Sequence, residues 1–218
     1  YFKGLKAYAG SLKAKGYDYD ACGSDVVLNS MSVKDGKIVL ASGMSYRVLV
    51  LPETTFMSPI VAAKIRELVS AGATVIGPRP TRSPSASGGS DADLEVILQG
   101  KEIWGDCDGK LVKSHDYGNG KVVWGKSVDE VLAGMKVVPD CMFRRIAGGK
   151  ATMAWIHRVI DGADVYFVSN QTPRSEELEC AFRVSGKSPQ LWYAETGKIE
   201  PAPVWREKGG YTVVPMRL

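Results

Sequence analysis

Cys22 is the residue in this sequence with the chemistry of a nucleophile. It ends a segment, residues 17–22, whose composition predicts a strand, and the end of a strand is where a nucleophile elbow sits. Such an elbow needs small flanking residues, typically glycine, but the sequence here reads DACGS, and neither Gly-x-Cys-x-Gly nor Gly-x-Ser-x-Gly occurs in the chain. We therefore expect Cys22 to be a buried, unreactive thiol at a strand end.

A cluster of carboxylates is the second candidate for chemistry. Asp91, Asp93 and Glu95 are close in sequence, and glycoside hydrolysis uses a pair of carboxylates as acid and base. They also lie in the first turn of a predicted helix, where negative charge favours the helix dipole, and we prefer this capping interpretation. Asp18 and Asp20 lie on one face of the predicted strand, but two carboxylates are too few ligands for a hard cation. No catalytic residue and no metal site are predicted.

Arg79 and Arg82 are the candidate ligand-binding residues. They follow a predicted strand, and ligands of open α/β sheets bind at the carboxyl ends of the strands. Arginine recognises carboxylates and phosphates through its planar guanidinium group, so the pair predicts an anion site. His157, within the apolar segment WIHRVI, is interpreted as a structural histidine, and His115 is expected to lie exposed in a turn.

The elements that would position these arginines form one strand–helix–strand unit. Val48–Leu51 is an apolar run typical of a parallel strand that is covered on both faces. Ser58 and Pro59 are typical of the start of a helix, and Gly72 is typical of its end. Thr74–Gly77 predicts the next strand. Such a crossover indicates an open α/β sheet.

The segments around this unit also have recognisable signals. Asp35-Gly36 predicts a hairpin, and a helix is predicted from Asp91 to about Trp104. Ser90 and Asp93 have the spacing of a capping box at its start, and Leu94, Ile97 and Leu98 are expected to form its buried face. A second capping box is predicted at Ser127 and Glu130.

The pattern changes from helical to strand-like near residue 147, where the chain reads Ala-Gly-Gly-Lys. We place a domain boundary there: residues 1–147 form an α/β domain, and residues 148–218 form antiparallel strands of a partial β-sandwich. A hairpin around Asp161-Gly162 is the clearest signal in the second domain. The remaining strands are fewer than the roughly seven that a sandwich usually has.

Composition excludes several classes of protein. The 218 residues carry a net charge of +4 with both signs interspersed, so no nucleic-acid partner is indicated. No apolar run is long enough for a membrane span. The four cysteines, Cys22, Cys107, Cys141 and Cys180, are widely spaced, which favours buried free thiols over a zinc site. No cofactor is expected. The chain begins at Tyr1, which suggests a piece of a longer protein or a processed chain.

Two long stretches carry a specific resemblance to a known family. Residues 16–85, which include MSYRVLVLP and GATVIGPRPTRSPS, resemble a segment of the α-L-rhamnosidases of glycoside hydrolase family 106. Residues 161–171, DGADVYFVSNQ, and 181–201, AFRVSGKSPQLWYAETGKIEP, are similar to the region that enters their β-sandwich.

The resemblance implies a place within a larger enzyme. In that family the segment follows a catalytic (β/α) barrel and forms a flavodoxin-like domain of the class I glutamine-amidotransferase type, without amidotransferase activity. The catalytic glutamates belong to the barrel, so none is transferred to this sequence. Family members act on rhamnose-containing plant glycans and are usually exported.

Three functional hypotheses follow. The first is a non-catalytic structural portion of a rhamnosidase-like glycoside hydrolase, which is inactive alone and whose partner is the barrel of the parent chain. The second is a stand-alone carbohydrate-binding or partner-binding module, for which exposed Trp192 and Tyr193 would be the evidence. The third is a small thiol hydrolase that uses Cys22, which would require a neighbouring histidine.

A partial sandwich predicts self-association. It leaves an unpaired strand edge and one apolar face in water. Val165, Phe167, Trp192 and Val214 are the residues expected to line that face. Large apolar patches usually find a partner, so a homodimer through the carboxyl-terminal strands is expected.

Overall fold

The computed structural model describes residues 16–84, 89–149 and 151–218. The described residues form two compact units, one of residues 20–137 and one of residues 16–19 with 138–218. The division lies earlier than the predicted boundary at residue 147, because the strand Cys141–Arg145 pairs with the strand Glu177–Phe182 of the later part. The fold is mixed α/β.

The first unit contains the helices of the described residues. In chain order its elements are α1 (Ser24–Ser30), β1 (Met31–Lys34), β2 (Lys37–Leu40), β3 (Ser45–Tyr46), β4 (Leu49–Val50), α2 (Pro59–Ala71), β5 (Thr74–Ile76), α3 (Gly89–Trp104), β6 (Ser114–Tyr117), β7 (Gly120–Val123) and α4 (Val128–Gly134). Strands β1, β2 and β3 form an antiparallel sheet, in which the predicted turn at Asp35-Gly36 is confirmed.

The central sheet of this unit has the order β4-β5-β7-β6. Strands β4, β5 and β7 run parallel, and β6 is antiparallel to β7. The predicted strand–helix–strand unit is therefore confirmed, although β4 contains only Leu49 and Val50 and is shorter than the predicted strand Val48–Leu51. The backbone N–H of Leu51 still donates to the carbonyl of Ile76 at 2.7 Å, so the pairing continues one residue further.

Helix α2 covers this sheet with the face that its sequence predicts. Ile65, Leu68 and Val69 are fully buried, and Val61 is half-buried. The helix ends at Gly72, whose φ of 123° is a conformation that favours glycine. These side chains join Val75, Val122 and Trp104 in the main core of the unit.

Helix α3 differs from its prediction. It begins at Gly89, so Ser90 lies inside it and the predicted capping box with Asp93 is wrong. The predicted buried face is also wrong, because Leu94 and Leu98 are each more than half exposed. The residues that are buried instead are Val96, Gln99, Gly100, Ile103 and Trp104.

The buried face of α3 is fixed by a close approach of backbone to backbone. A Cβ atom at Gly100 would lie 2.7 Å from the carbonyl oxygen of Pro80. The indole N–H of Trp104 donates to the carbonyl of Gly77 at 3.0 Å, which satisfies its buried polar atom. Gly100 is therefore the point at which α3 contacts the segment that follows β5.

Short helix α4 agrees with the sequence. The Ser127 hydroxyl accepts from the Glu130 N–H at 3.2 Å, and the Glu130 carboxylate accepts from the Ser127 N–H at 2.7 Å, so the predicted capping box is confirmed. Residues 17–22, in contrast, have no regular secondary structure, so the predicted strand before Cys22 is wrong.

The second unit is built of strands in its described residues. They are β8 (Cys141–Arg145), β9 (Met153–Ile160), β10 (Ala163–Asn170), β11 (Glu177–Phe182), β12 (Gln190–Trp192), β13 (Ile199–Pro201), β14 (Arg206–Lys208) and β15 (Tyr211–Arg217). A four-stranded antiparallel sheet has the order β14-β15-β11-β8, and β9–β10 and β12–β13 form two separate hairpins. The predicted hairpin turn at Asp161-Gly162 is confirmed.

None of the helices in the described residues combines the length and the apolar character that crossing a membrane requires.

Candidate functional site

A histidine held between two aspartates is the most concentrated group of titratable residues in the second unit. His157 lies on β9, and Asp164 lies on the paired strand β10. Asp140 immediately precedes β8 and is almost fully buried. The register of the hairpin places Tyr166 directly opposite His157. The pairing of β9 with β10 brings His157 close to Asp164 and Tyr166, and a side-chain contact adds Asp140 from outside this hairpin.

Both ring nitrogens of His157 face a carboxylate. Nδ1 lies 2.8 Å from Oδ2 of Asp140, and Nε2 lies 3.0 Å from Oδ1 of Asp164. The ring stacks on Tyr166 with a centroid distance of 4.1 Å and an angle of 11° between the planes. Tyr166 also contacts Phe182, at the end of β11, at 4.7 Å. The cluster therefore links the β9–β10 hairpin to the four-stranded sheet.

Cations surround the two carboxylates. The Arg183 guanidinium donates to Oδ1 of Asp140 through Nε at 3.2 Å and Nη2 at 3.0 Å, and the Tyr166 hydroxyl donates to the same oxygen at 3.2 Å. Lys187 donates to Oδ2 of Asp164 at 2.6 Å. The hydrogen bond from Lys187, with the contact to His157, lowers the pKa of Asp164, whereas burial and the Asp140 charge raise the pKa of Tyr166.

The bonding pattern of this cluster is that of a structural network. Each carboxylate oxygen of Asp140 already accepts from a side chain of the protein, and both nitrogens of His157 are engaged. A general base needs an open position from which it can reach a substrate proton. The interpretation of His157 as a structural histidine is thus supported by its contacts. The sequence did not identify its partners, although the turn at Asp161-Gly162 implied that Asp164 would lie near it.

A buried carboxylate in the same unit has a similar role. Glu176 is 1% exposed and lies between Arg174, at 2.8 Å, and Arg145, at 2.5 Å. These two arginines, Arg174 foremost, lower its pKa. Its backbone also exchanges two hydrogen bonds with Leu218. Glu176 ties β8 to the end of β15 by contacts that sequence spacing did not reveal.

The predicted arginine pair lies at the expected edge but is engaged with the protein. Nη1 of Arg79 donates to the carbonyl of Gly105 at 3.2 Å. Arg82 lies 3.9 Å from Asp93 and 5.9 Å from the centre of the Phe56 ring. The two side chains therefore have different partners, and an anion site at Arg79 and Arg82 stays a prediction.

Two of the three candidate carboxylates on α3, Asp93 and Glu95, have local partners. Asp93 accepts from the backbone N–H of Ser83 at 2.6 Å, which fastens the preceding segment to the helix. Glu95 accepts from the Gln99 amide at 3.0 Å. These bonds are typical of helix anchoring and favour the structural interpretation over acid–base chemistry.

Cys22 is half-buried and precedes α1, so its predicted position at a buried strand end is wrong. Partial burial, followed by the negative charge of Asp25, raises the pKa of its thiol, which disfavours the thiolate. The two histidines of the chain have other partners, since His115 lies 3.4 Å from Asp106 and His157 faces Asp140. A thiol hydrolase using Cys22 gains no support from these contacts.

The other cysteines are free and buried. Burial raises the pKa of Cys180 to about 12 and also raises the pKa of Cys141, so both thiols are unreactive at neutral pH. Within the described residues, no group of three or more potential metal ligands comes together.

The residues predicted to line an exposed apolar face divide into two groups. Phe167 is 58% exposed and Trp192 is 66% exposed. Val165 is half-buried, and Val214 is buried on β15, so the prediction for Val214 is wrong. Val214 is covered because it lies on the central strand pair β11–β15, opposite Cys180.

Three comparisons with known proteins find a matching family model, a similar sequence and a similar structure. A family model described as alpha-L-rhamnosidase matches residues 7–206. A protein of Formosa agariphila named "Putative beta-glucuronidase" is 36% identical over 208 residues, which are 95% of this chain and 16% of that protein. The structure of a rhamnosidase from Novosphingobium sp. PP1Y is similar with a TM-score of 0.81 and 29% identity, covering 95% of this chain and 19% of the other.

Proposed function

We propose that this chain, which belongs to the α-L-rhamnosidase family, is a non-catalytic structural portion of a larger glycoside hydrolase that acts on rhamnose-containing plant glycans. One observation carries the proposal. Each of the two relatives matches 95% of this chain, but this chain spans only 16% of the length of the Formosa agariphila protein and 19% of the length of the Novosphingobium rhamnosidase. A protein of that size has room for a separate catalytic barrel, which would be the partner of this portion.

The internal bonding of the candidate residues supports a structural role. The polar atoms of Asp140 and His157 form hydrogen bonds with each other and with neighbouring side chains. Asp93 and Glu95 anchor the chain around α3. Glycosidases of both stereochemical classes need two carboxylates that face a sugar from opposite sides. Carboxylates already bonded within the protein are poorly suited to that task.

The resemblance also supports a finer description of the fold. We infer that the α/β domain predicted for residues 1–147 is a flavodoxin-like domain of the class I glutamine-amidotransferase type that has no amidotransferase activity. The parallel strands β4, β5 and β7, with α2 as a crossover, are compatible with this inference. By the same resemblance the parent enzyme is exported. A homodimer through the carboxyl-terminal strands stays a prediction, and exposed Phe167 is compatible with it.

One observation favours the second hypothesis, a binding module. Trp192 and Tyr193 lie on a small hairpin and are both exposed, as that hypothesis requires. A binding function is compatible with a structural portion of a larger enzyme, so the two hypotheses need not exclude each other.

Sequencing the gene on both sides of the codons for this chain tests the proposal. We expect one continuous reading frame that encodes a (β/α) barrel on the amino-terminal side of Tyr1. In-frame stop codons on both sides, close to the codons for residues 1 and 218, would contradict it. A second, independent readout is the mass of the polypeptide that carries this sequence in the source organism, which should be several times 23.6 kDa.

A further inference from the structure

The β12–β13 hairpin carries an exposed tryptophan, whose exposure is not explained by the proposed role of the chain as a structural portion of a larger enzyme. Trp192 ends β12 and is 66% exposed, and its cross-strand partner Ile199 on β13 is 53% exposed. The next pair on the same side of the hairpin, Gln190 and Pro201, is also exposed. These four residues form one continuous outward surface, the Trp192 face.

The charged side chains of Lys198 and Glu200 lie on the opposite side of the hairpin, next to the turn that joins β12 to β13. The Tyr193 hydroxyl donates to Glu200 at 2.8 Å, and Lys198 lies 2.5 Å from the same carboxylate. The backbone N–H of Gly197 donates to the carbonyl of Tyr193 at 2.8 Å, which closes the turn. The hairpin is therefore fastened from one side, and the Trp192 face is made of uncharged side chains.

A neighbouring amide orients the ring of Trp192. The indole Nε1–H donates to Oε1 of Gln190 at 3.3 Å, two residues earlier on the same side of the strand. This contact engages the polar edge of the indole and leaves the flat face of the ring exposed. It also places the Gln190 NH₂ group, which can donate to a hydroxyl, beside that ring.

We propose that the Trp192 face binds a neutral saccharide. The apolar C–H face of a pyranose ring would stack on the indole, and the Gln190 amide would donate to a sugar hydroxyl. A sugar with a methyl group in place of its C6 hydroxyl would extend the apolar contact onto Ile199. An anionic uronic acid would find no cation on this face, because Lys198 is on the other side and is paired with Glu200.

The size of the face favours a saccharide over a protein. A stable protein interface buries about 800 Å² on each partner, with some 20–30 residues a side. The Trp192 face has four residues, which is enough for one or two sugar rings. Its binding would be independent of hydrolysis, so a failure of this inference would leave the proposed structural role unaffected.

Titration of the Trp192 indole N–H signal by NMR tests the inference. With methyl α-L-rhamnoside as the probe we expect a saturable shift with a dissociation constant on the order of 1 mM, as is usual for so small a ligand. Methyl β-D-glucuronide should bind at least about tenfold more weakly. Equal binding of the two sugars, or no shift with the rhamnoside, would overturn the inference.

Calorimetry on matched variants separates this site from any other. Trp192→Ala should abolish rhamnoside binding and Gln190→Ala should weaken it several-fold, while Phe167→Ala, which removes another exposed aromatic ring elsewhere in the unit, should leave it unchanged. Circular dichroism checks that each variant is folded. Unchanged binding by Trp192→Ala, or an indole signal that depends on protein concentration rather than on sugar, would contradict a saccharide site.

Discussion

Replacing Asp140 by alanine is expected to lower the free energy of unfolding of the second unit by about 3–5 kcal/mol, the usual cost of removing one partner from a buried ion pair. Asp140 is 7% exposed and accepts from His157, Tyr166 and Arg183. Its removal leaves the His157 ring and the Tyr166 hydroxyl without their shared partner in a part of the unit that water reaches poorly.

Amide hydrogen exchange at Cys180 on β11 is the measurement, because that residue is fully buried at the centre of the four-stranded sheet. The matched control is Asp116→Ala, which removes an exposed aspartate from β6 in the first unit and should change stability by less than about 0.5 kcal/mol. If the Asp140→Ala and Asp116→Ala proteins exchange at the same rate as the unchanged chain, the cluster does not hold the second unit together.

A Gly100→Ala substitution is expected to destabilise the first unit by about 1–3 kcal/mol, the range for overpacking a tight contact. Intrinsic helix propensity predicts the opposite sign, since alanine is better than glycine in a helix by about 1 kcal/mol. The new Cβ would lie 2.7 Å from the Pro80 carbonyl oxygen and 3.2 Å from Cγ of Arg79. A backbone carbonyl cannot move away as a flexible side chain can, so the steric cost outweighs the propensity.

Gly134→Ala is the matched control, because nothing lies within 4 Å of a Cβ at that position at the end of α4. We expect it to be neutral or to stabilise by up to about 1 kcal/mol. Urea unfolding of the two variants gives the comparison directly. A Gly100→Ala protein as stable as the Gly134→Ala protein would mean that α3 can shift away from Pro80 at little cost.

Local signals were sufficient for the elements whose determinants lie next to each other in sequence. Ser58, Pro59 and Gly72 predicted both ends of α2, and Asp161-Gly162 predicted the β9–β10 turn. Ser127 and Glu130 predicted the cap of α4. In each case the residues that decide the conformation are within a few positions of one another, so spacing alone carries the information.

The buried face of α3 shows where local signals fail. Periodicity favoured Leu94, Ile97 and Leu98, but contact with the backbone at Pro80 rotates Gly100 inwards and leaves Leu94 exposed. That contact depends on the chain twenty residues earlier in sequence. A glycine inside a helical pattern was the available signal, and its interpretation as a tight packing contact requires knowledge of the neighbouring segment.

The candidate site was only partly predictable for the same reason. The interpretation of His157 as structural agrees with its contacts, but its partner Asp140 lies 17 positions earlier and outside the β9–β10 hairpin. Arg183, which donates to Asp140, is brought there by the pairing of β8 with β11. Sheet registers of that range cannot be read from one sequence. The family resemblance, carried by long ordered stretches, predicted membership of the rhamnosidase family where single residues could not.

The most direct test of the central claim, that this chain has no catalytic centre of its own, is a hydrolysis assay on the purified chain with an aryl α-L-rhamnoside. We expect no turnover above the uncatalysed rate, because Asp93 and Glu95 of α3 and the carboxylates of the His157 cluster are bonded within the protein. Turnover that is lost in Asp91→Asn or Asp93→Asn proteins would contradict the claim.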